Sequence, residues 1–195
     1  MTARRILFGV AIALTLVAAA CGDSGGSATP STAAFNDADV SFAQGMIPHH
    51  AQAVEMADIA STRASSAKVK DLASRIKAAQ GPEIATMTAW LKSWNKPVTA
   101  SSGGGMAGMA GMGSGASAMG MMSDADMKGL GAASGAAFDK MFLTMMIEHH
   151  KGAIDMAKTE QTDGKFAATK ALAGSIVTAQ QAEIDEMGKL LTSAG

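Results

Sequence analysis

The sequence predicts an all-α protein, a four-helix bundle built from two repeated αα-hairpins. Three observations predict it. Apolar residues recur at helical spacings of three and four, the two halves of the chain match at a constant offset of 100, and runs of β-branched residues are almost absent.

The first helix is drawn by Phe42, Met46, His49, Ala53, Met56 and Ala60, spaced four, three, four, three, four, a single stripe that packs against neighbours. Asp37 or Asp39 suits its N-cap. Pro48 falls within the pattern; inside a helix proline costs roughly 3 kcal/mol and frees the carbonyl four residues back, here that of Gln44. Either the regular helix starts near His49 or it kinks there. The second helix follows from Ala73, Ile76, Gln80, Glu83, Met87, Trp90 and Trp94, with Ser65 or Ser66 as its cap and Pro97, after Asn95, as its stop.

The third and fourth helices repeat the first two. Phe42, Met46, Ile47, His49, His50, Ala53, Met56 and Ala57 match Phe142, Met146, Ile147, His149, His150, Ala153, Met156 and Ala157. Further on, Ile76, Gln80, Glu83, Ile84, Met87 and Leu91 match Ile176, Gln180, Glu183, Ile184, Met187 and Leu191. Asp163-Gly164 divides the second pair. Neither hairpin can bury its own stripe, so residues 35–96 and 135–195 combine in one bundle.

The segments outside the hairpins speak of export. Residues 1–20 read as a signal peptide, with Arg4 and Arg5 before an apolar run from Ile6 to Val17 that is too short to favour a permanent transmembrane helix. Ala18 to Cys21 resembles a bacterial lipobox, which makes Cys21 the expected lipidation site and a lipid anchor the expected tie to a membrane. Ala18 stands where that pattern more often has leucine, so cleavage with plain secretion, or an uncleaved anchor, are the alternatives. Each puts the domain outside the cytoplasm.

Residues 21–34 form a Gly/Ser/Thr/Ala tether, and residues 97–134 a Gly/Met-rich linker. Cys21 is the single cysteine, so no intramolecular disulfide staples the domain. Without Arg4 and Arg5 the 16 basic side chains fall to 14 against 17 acidic ones, a formal charge of −3. That balance, with no Tyr and two Trp, argues against a nucleic-acid surface. There is also no nucleophile triad, phosphate loop or nucleotide fingerprint, so the chain is not read as an enzyme.

All four histidines lie in two pairs, MIPHH and MIEHH, each beside methionine. A lone histidine on an apolar stripe is commonly a hydrogen-bonded core residue; four that are paired and repeated point to a metal instead. The candidate ligands are Met46, His49, His50, Met56 and Met87 with Met146, His149, His150, Met156 and Met187. His50 is turned about 100° from His49 and serves a flank or meets Met46. Gln80, Glu83, Gln180 and Glu183 are polar on stripes meant for burial; a glutamate facing imidazole can hold its N–H and leave the other nitrogen for the ion. Thioether with imidazole suits Cu(I), with Ag(I) as a mimic, rather than Mg or Ca. In the linker Met106, Met109, Met112, Met119, Met121 and Met122 add a second set of soft donors for metal capture.

On the motifs F-x-x-x-M-I-P-H-H-x-x-A-x-x-M-A (Phe42 to Ala57) and Q-x-x-E-I-x-x-M-x-x-W-L (Gln80 to Leu91), and their second copies, the chain resembles the DUF305 family. The resemblance spans about residues 35–95 and 135–192. It implies a ferritin-like four-helix bundle, export, and for some members copper binding and tolerance through positions matching Met46, His49, His50, Met56 and their repeats.

The expectation is therefore an exported, lipid-anchored copper binder that buffers, stores or hands over Cu(I), with a copper-handling protein as partner. The alternatives are a ferritin-like di-iron oxidase and a helical interaction module without metal. The oxidase reading wants Glu-x-x-His on a helix, and Met46 and Ile147 stand where those glutamates would be.

Overall fold

The structure, a computed structural model, describes residues 34–99 and 119–193. The signal peptide, Cys21 and the tether up to residue 33 lie outside them, as do Met106, Met109 and Met112 of the linker. Five helices make up the described part: α1 (Asp37–Arg63), α2 (Ala67–Ser93), α3 (Asp124–Ala132), α4 (Gly135–Asp163) and α5 (Ala167–Ser193). The two expected hairpins are α1–α2 and α4–α5, and α1 packs across α4 to join them. No described helix is long and apolar enough to cross a membrane.

The helix starts correct the sequence reading. Asn36, not Asp37 or Asp39, caps α1: its side chain accepts from Asp39 N–H at 3.1 Å while the Asp39 carboxylate accepts from Asn36 N–H at 2.7 Å, a capping box. Ser66 caps α2 by position, without a side-chain bond to the helix. At the far end of α2, Asn95 takes a left-handed φ of 54° and Lys96 N–H returns to Leu91 O, which closes the last turn before Pro97.

Pro48 neither delays nor ends α1, which runs unbroken through it. Pro82 sits likewise inside α2. Both rings are exposed, so each missing hydrogen bond falls on the outer side of its helix, where water can solvate the freed carbonyl. The short α3 lies within the stretch expected to be linker. Ser123 and Asp126 cap it reciprocally, and its Leu130 is fully buried against the bundle.

The core divides into two clusters that exchange under the offset of 100. One joins Ala53, Met56, Ala57, Ala73 and Ile76 of the first hairpin to Phe142, Met146 and Met187 of the second; the other joins Phe42, Met46 and Met87 to Ala153, Ala157, Ala173 and Ile176. Each cluster thus borrows from both hairpins. Burying side chains such as Leu72, Ile76, Phe138 and Phe142 contributes about 1.5–3 kcal/mol each.

Two aspartates lock the arrangement. Asp39 on α1 accepts from Lys165 N–H, Phe166 N–H (2.9 Å) and Thr169 Oγ1 (2.5 Å) at the start of α5. Asp139 on α4 accepts from Ser65 N–H, Ser65 Oγ and Ser66 N–H at the start of α2. Each hairpin therefore caps the other's second helix. The beginning of α1 meets the end of α4 and vice versa, so these two helices run antiparallel.

Candidate metal centre

Antiparallel packing about this pseudo-twofold brings the middle of α1 onto the middle of α4. His49 and His149 meet there, ring centroids 3.8 Å apart and planes inclined at 41°. His50 and His150 flank them, and all four rings are fully buried. His50 thus takes a flank position, held by the second helix of its own hairpin. Its Nε2–H donates to Glu83 at 2.7 Å, and His150 Nε2–H donates to Glu183 at the same distance.

A carboxylate only accepts, so the proton of each of these rings, when the ring is neutral, is on Nε2 and the lone pair on Nδ1. His49 is fixed the same way by a backbone carbonyl, its Nε2–H donating to Met119 O at 2.9 Å. The Nδ1 atoms of His49, His50 and His150 have no hydrogen-bond partner, and neither do the two ring nitrogens of His149. Leaving such an atom unsatisfied costs about 1–3 kcal/mol. Burial holds His49 down to about 4 and His149 down to about 2, each helped by the neighbouring imidazoles. At neutral pH the central pair, His49 and His149, is thus uncharged.

The candidate thioethers fall in two groups. Met56, Met146 and Met187 share one apolar cluster; Met46, Met87 and the half-buried Met156 share the other. The sequence put Met46, Met56 and Met87 together on one hairpin's stripe. The structure separates Met46 from Met56 because ten residues of α-helix span about 15 Å. Each is matched instead with sulfur from the opposite hairpin. Gln80 and Gln180 are buried, but neither hydrogen-bonds a histidine, unlike the two glutamates. Among the described residues no three His, Cys, Asp or Glu side chains are placed to hold a metal by themselves.

A feature that sequence reasoning missed lies over His49. Met119 to Met122 cross from α4 to α1 as a strap. Gln52 grips it with two bonds, Met122 N–H to Oε1 and Nε2–H to Met122 O, both 2.8 Å. On the other side the strap rests on α4 so closely that a Cβ at Gly152 would lie 1.8 Å from Met119 O. Gly120, at φ 72°, makes the turn against the Glu148 carbonyl. The signal was a break in the repeat: Gln52 and Gly152 are partners at the offset of 100, as are Pro48 and Glu148.

A second missed pair, Asp39 with Glu160, sits at the α1–α4 contact. Burial, with the adjoining Asp39 carboxylate, pushes Glu160 up to about 7. Asp39 is also desolvated, but hydrogen bonds from Thr169, Asn36 and Phe166 outweigh this and keep it below the usual carboxylate range.

The family model for DUF305, a domain of unknown function, matches residues 39–191. Among solved structures the chain is similar to a DUF305 protein from Streptomyces coelicolor, at 38% identity and a TM-score of 0.72, over 81% of this chain and 94% of that one. A DUF305 fragment from Deinococcus radiodurans is 30% identical with a TM-score of 0.70, over 81% and 97%. CopM in its Cu(I)-bound form is 30% identical with a TM-score of 0.64, over 80% and 96%; CopM is also known in Cu(II)- and Ag-bound forms. No curated protein matches the chain.

Proposed function

The chain belongs to the DUF305 family, and on that footing we propose that it is an exported, non-enzymatic copper-binding protein that takes up Cu(I) in the bundle centre. The observation that carries this reading is the buried quartet of histidines, with ring nitrogens left unpartnered, between two groups of thioethers. Imidazole and thioether are borderline and soft donors, and they suit a monovalent soft cation. CopM, similar over most of its length, binds Cu(I), Cu(II) and Ag, which supports the same chemistry here.

The candidate ligands are His49 and His149 at the centre, His50 and His150 beside them, Met56, Met146 and Met187 on one side, and Met46, Met87 and Met156 on the other. Glu83 and Glu183 keep the His50 and His150 rings oriented and their Nδ1 atoms basic. Cys21 lipidation would keep the protein at the membrane surface, and the linker methionines would gather metal near the centre. Buffering, storage or delivery to a partner protein all follow from reversible Cu(I) binding.

The test is a Cu(I) titration against a competing chelator, run on the parent, on a variant with all four histidines replaced, and on one lacking Gly103–Gly115. The expected result is loss of the tight site in the first variant and a lower stoichiometry in the second. Unchanged affinity and stoichiometry without the histidines would remove the central site. Ag(I) should also raise the melting temperature, since binding to the native state alone stabilises it.

A further inference from the structure

The two ends of the bundle are related by the offset of 100 but are not furnished alike. At one end Phe35, Trp90, Trp94 and Phe166 pack ring against ring. At the opposite end the positions matching Phe35, Trp90 and Phe166 hold Gly135, Leu190 and Ser66. There, between the starts of α2 and α4 and the end of α5, a cleft of about 670 Å³ is lined by Val69, Leu143, Leu190 and Leu191. Its volume falls within the roughly 300–1,000 Å³ of small-molecule sites.

Charge changes with the same exchange. Lys68 and Lys140 also line the cleft, whereas Ala168 and Val40 hold their places at the filled end. Both lysines are exposed, and among the described residues neither has an ion-pair partner. Asp139, the carboxylate in the lining, is already occupied by Ser65 N–H, Ser65 Oγ and Ser66 N–H. Loss of rings and gain of cations thus coincide in one place.

We propose that this cleft is a binding site for a small aromatic anion, an aryl carboxylate whose rings take the volume of the missing aromatic side chains and whose charge meets Lys68 and Lys140. The filled end is the template for the ring-binding part, since related backbone there holds planar groups by stacked and edge-on contacts. Apolar burial against Val69, Leu143 and Leu191 supplies most of the affinity. The two ammonium groups, close to solvent, select the sign of the ligand.

The purified protein, free of metal, is titrated with naphthoate while backbone amide shifts are followed by NMR. Saturable shifts at Val69, Leu143 and Leu191 are expected, with one ligand per chain. Naphthylmethanol, which keeps the rings but lacks the charge, should bind about tenfold more weakly, the scale of two exposed ion pairs. Lys68→Ala combined with Lys140→Ala should cost naphthoate the same factor and leave naphthylmethanol unchanged. Leu190→Trp restores a ring that the filled end possesses and should abolish naphthoate binding without lowering the melting temperature. If that variant folds poorly, the neutral analogue on the parent protein decides the matter.

Absence of saturable shifts, or equal affinity for naphthoate and naphthylmethanol, would overturn the site. Tighter binding of laurate than of naphthoate at the same residues would overturn the assignment of an aromatic ligand. So would a dimer in sedimentation that Leu190→Trp dissociates, because a second copy of the chain would then cover the cleft. None of these outcomes bears on the histidine centre, whose candidate ligands all stay in place.

Discussion

The Glu83 and Glu183 carboxylates act on the centre through a single hydrogen bond each, setting which nitrogen of His50 and His150 keeps its lone pair. Glu83→Gln keeps an acceptor but removes the charge that makes the ring basic, so Cu(I) affinity should fall about tenfold in chelator competition. These glutamates were legible from sequence because they are charges on a stripe meant for burial. Glu160 was not, since Ala60 occupies the matching place and the repeat gives no echo. Raised to about 7 from an ordinary 4.5, Glu160 is protonated in the folded protein where the unfolded chain would ionise it. Its stabilisation is complete below pH 4.5 and is lost as pH rises through about 7. Among the groups acting on it, Asp39 opposes ionisation, whereas Thr169 and Lys170 favour it. Glu160→Gln should therefore melt with the parent at pH 4 and above it at pH 8.

At the scale of elements, the periodicity of apolar residues was enough to place four long helices, and the Asp163-Gly164 break was read correctly. The starts were less legible because the strongest caps act in trans. Asp39 and Asp139 obey the offset of 100, yet one-dimensional pattern gives no reason for an aspartate near the start of one helix to serve the first turn of another. Asp39→Ala leaves Lys165 N–H and Phe166 N–H of the second hairpin uncapped and should cost about 2 kcal/mol in denaturant melts. The prolines taught the opposite lesson. Pro48 and Pro82 look like breakers in sequence but lie on exposed helix faces, where a lost bond is solvated. Helix α3 was hidden by its glycine- and methionine-rich surroundings, although Ser123 and Asp126 spelled its cap.

Across the whole molecule the repeat is faithful at the centre and diverges at the ends. One end is filled by Phe35, Trp90, Trp94 and Phe166, with Phe35 stacked on Trp94 at 4.6 Å and Phe166 edge-on to both tryptophans. At the other end the positions matching Phe35, Trp90 and Phe166 hold Gly135, Leu190 and Ser66, and a cleft of about 670 Å³ opens beside Leu143, Leu190 and Leu191. Leu190→Trp should fill part of this cleft and raise the melting temperature by a few degrees, on the order of 1 kcal/mol of added burial. The pairing of donors across hairpins could not be read from either copy alone, since it depends on α1 and α4 being antiparallel. The mutual capping by Asp39 and Asp139 carries a consequence for descent. A single hairpin of this kind would leave the start of its second helix unfinished until it met another copy, so the ancestral unit is best pictured as a homodimer. In that dimer any loop laid over one histidine would be laid over both. Two copies within one chain are free of that restriction: Gln52 grips and Gly152 accommodates the same strap, a division of labour closed to two identical subunits.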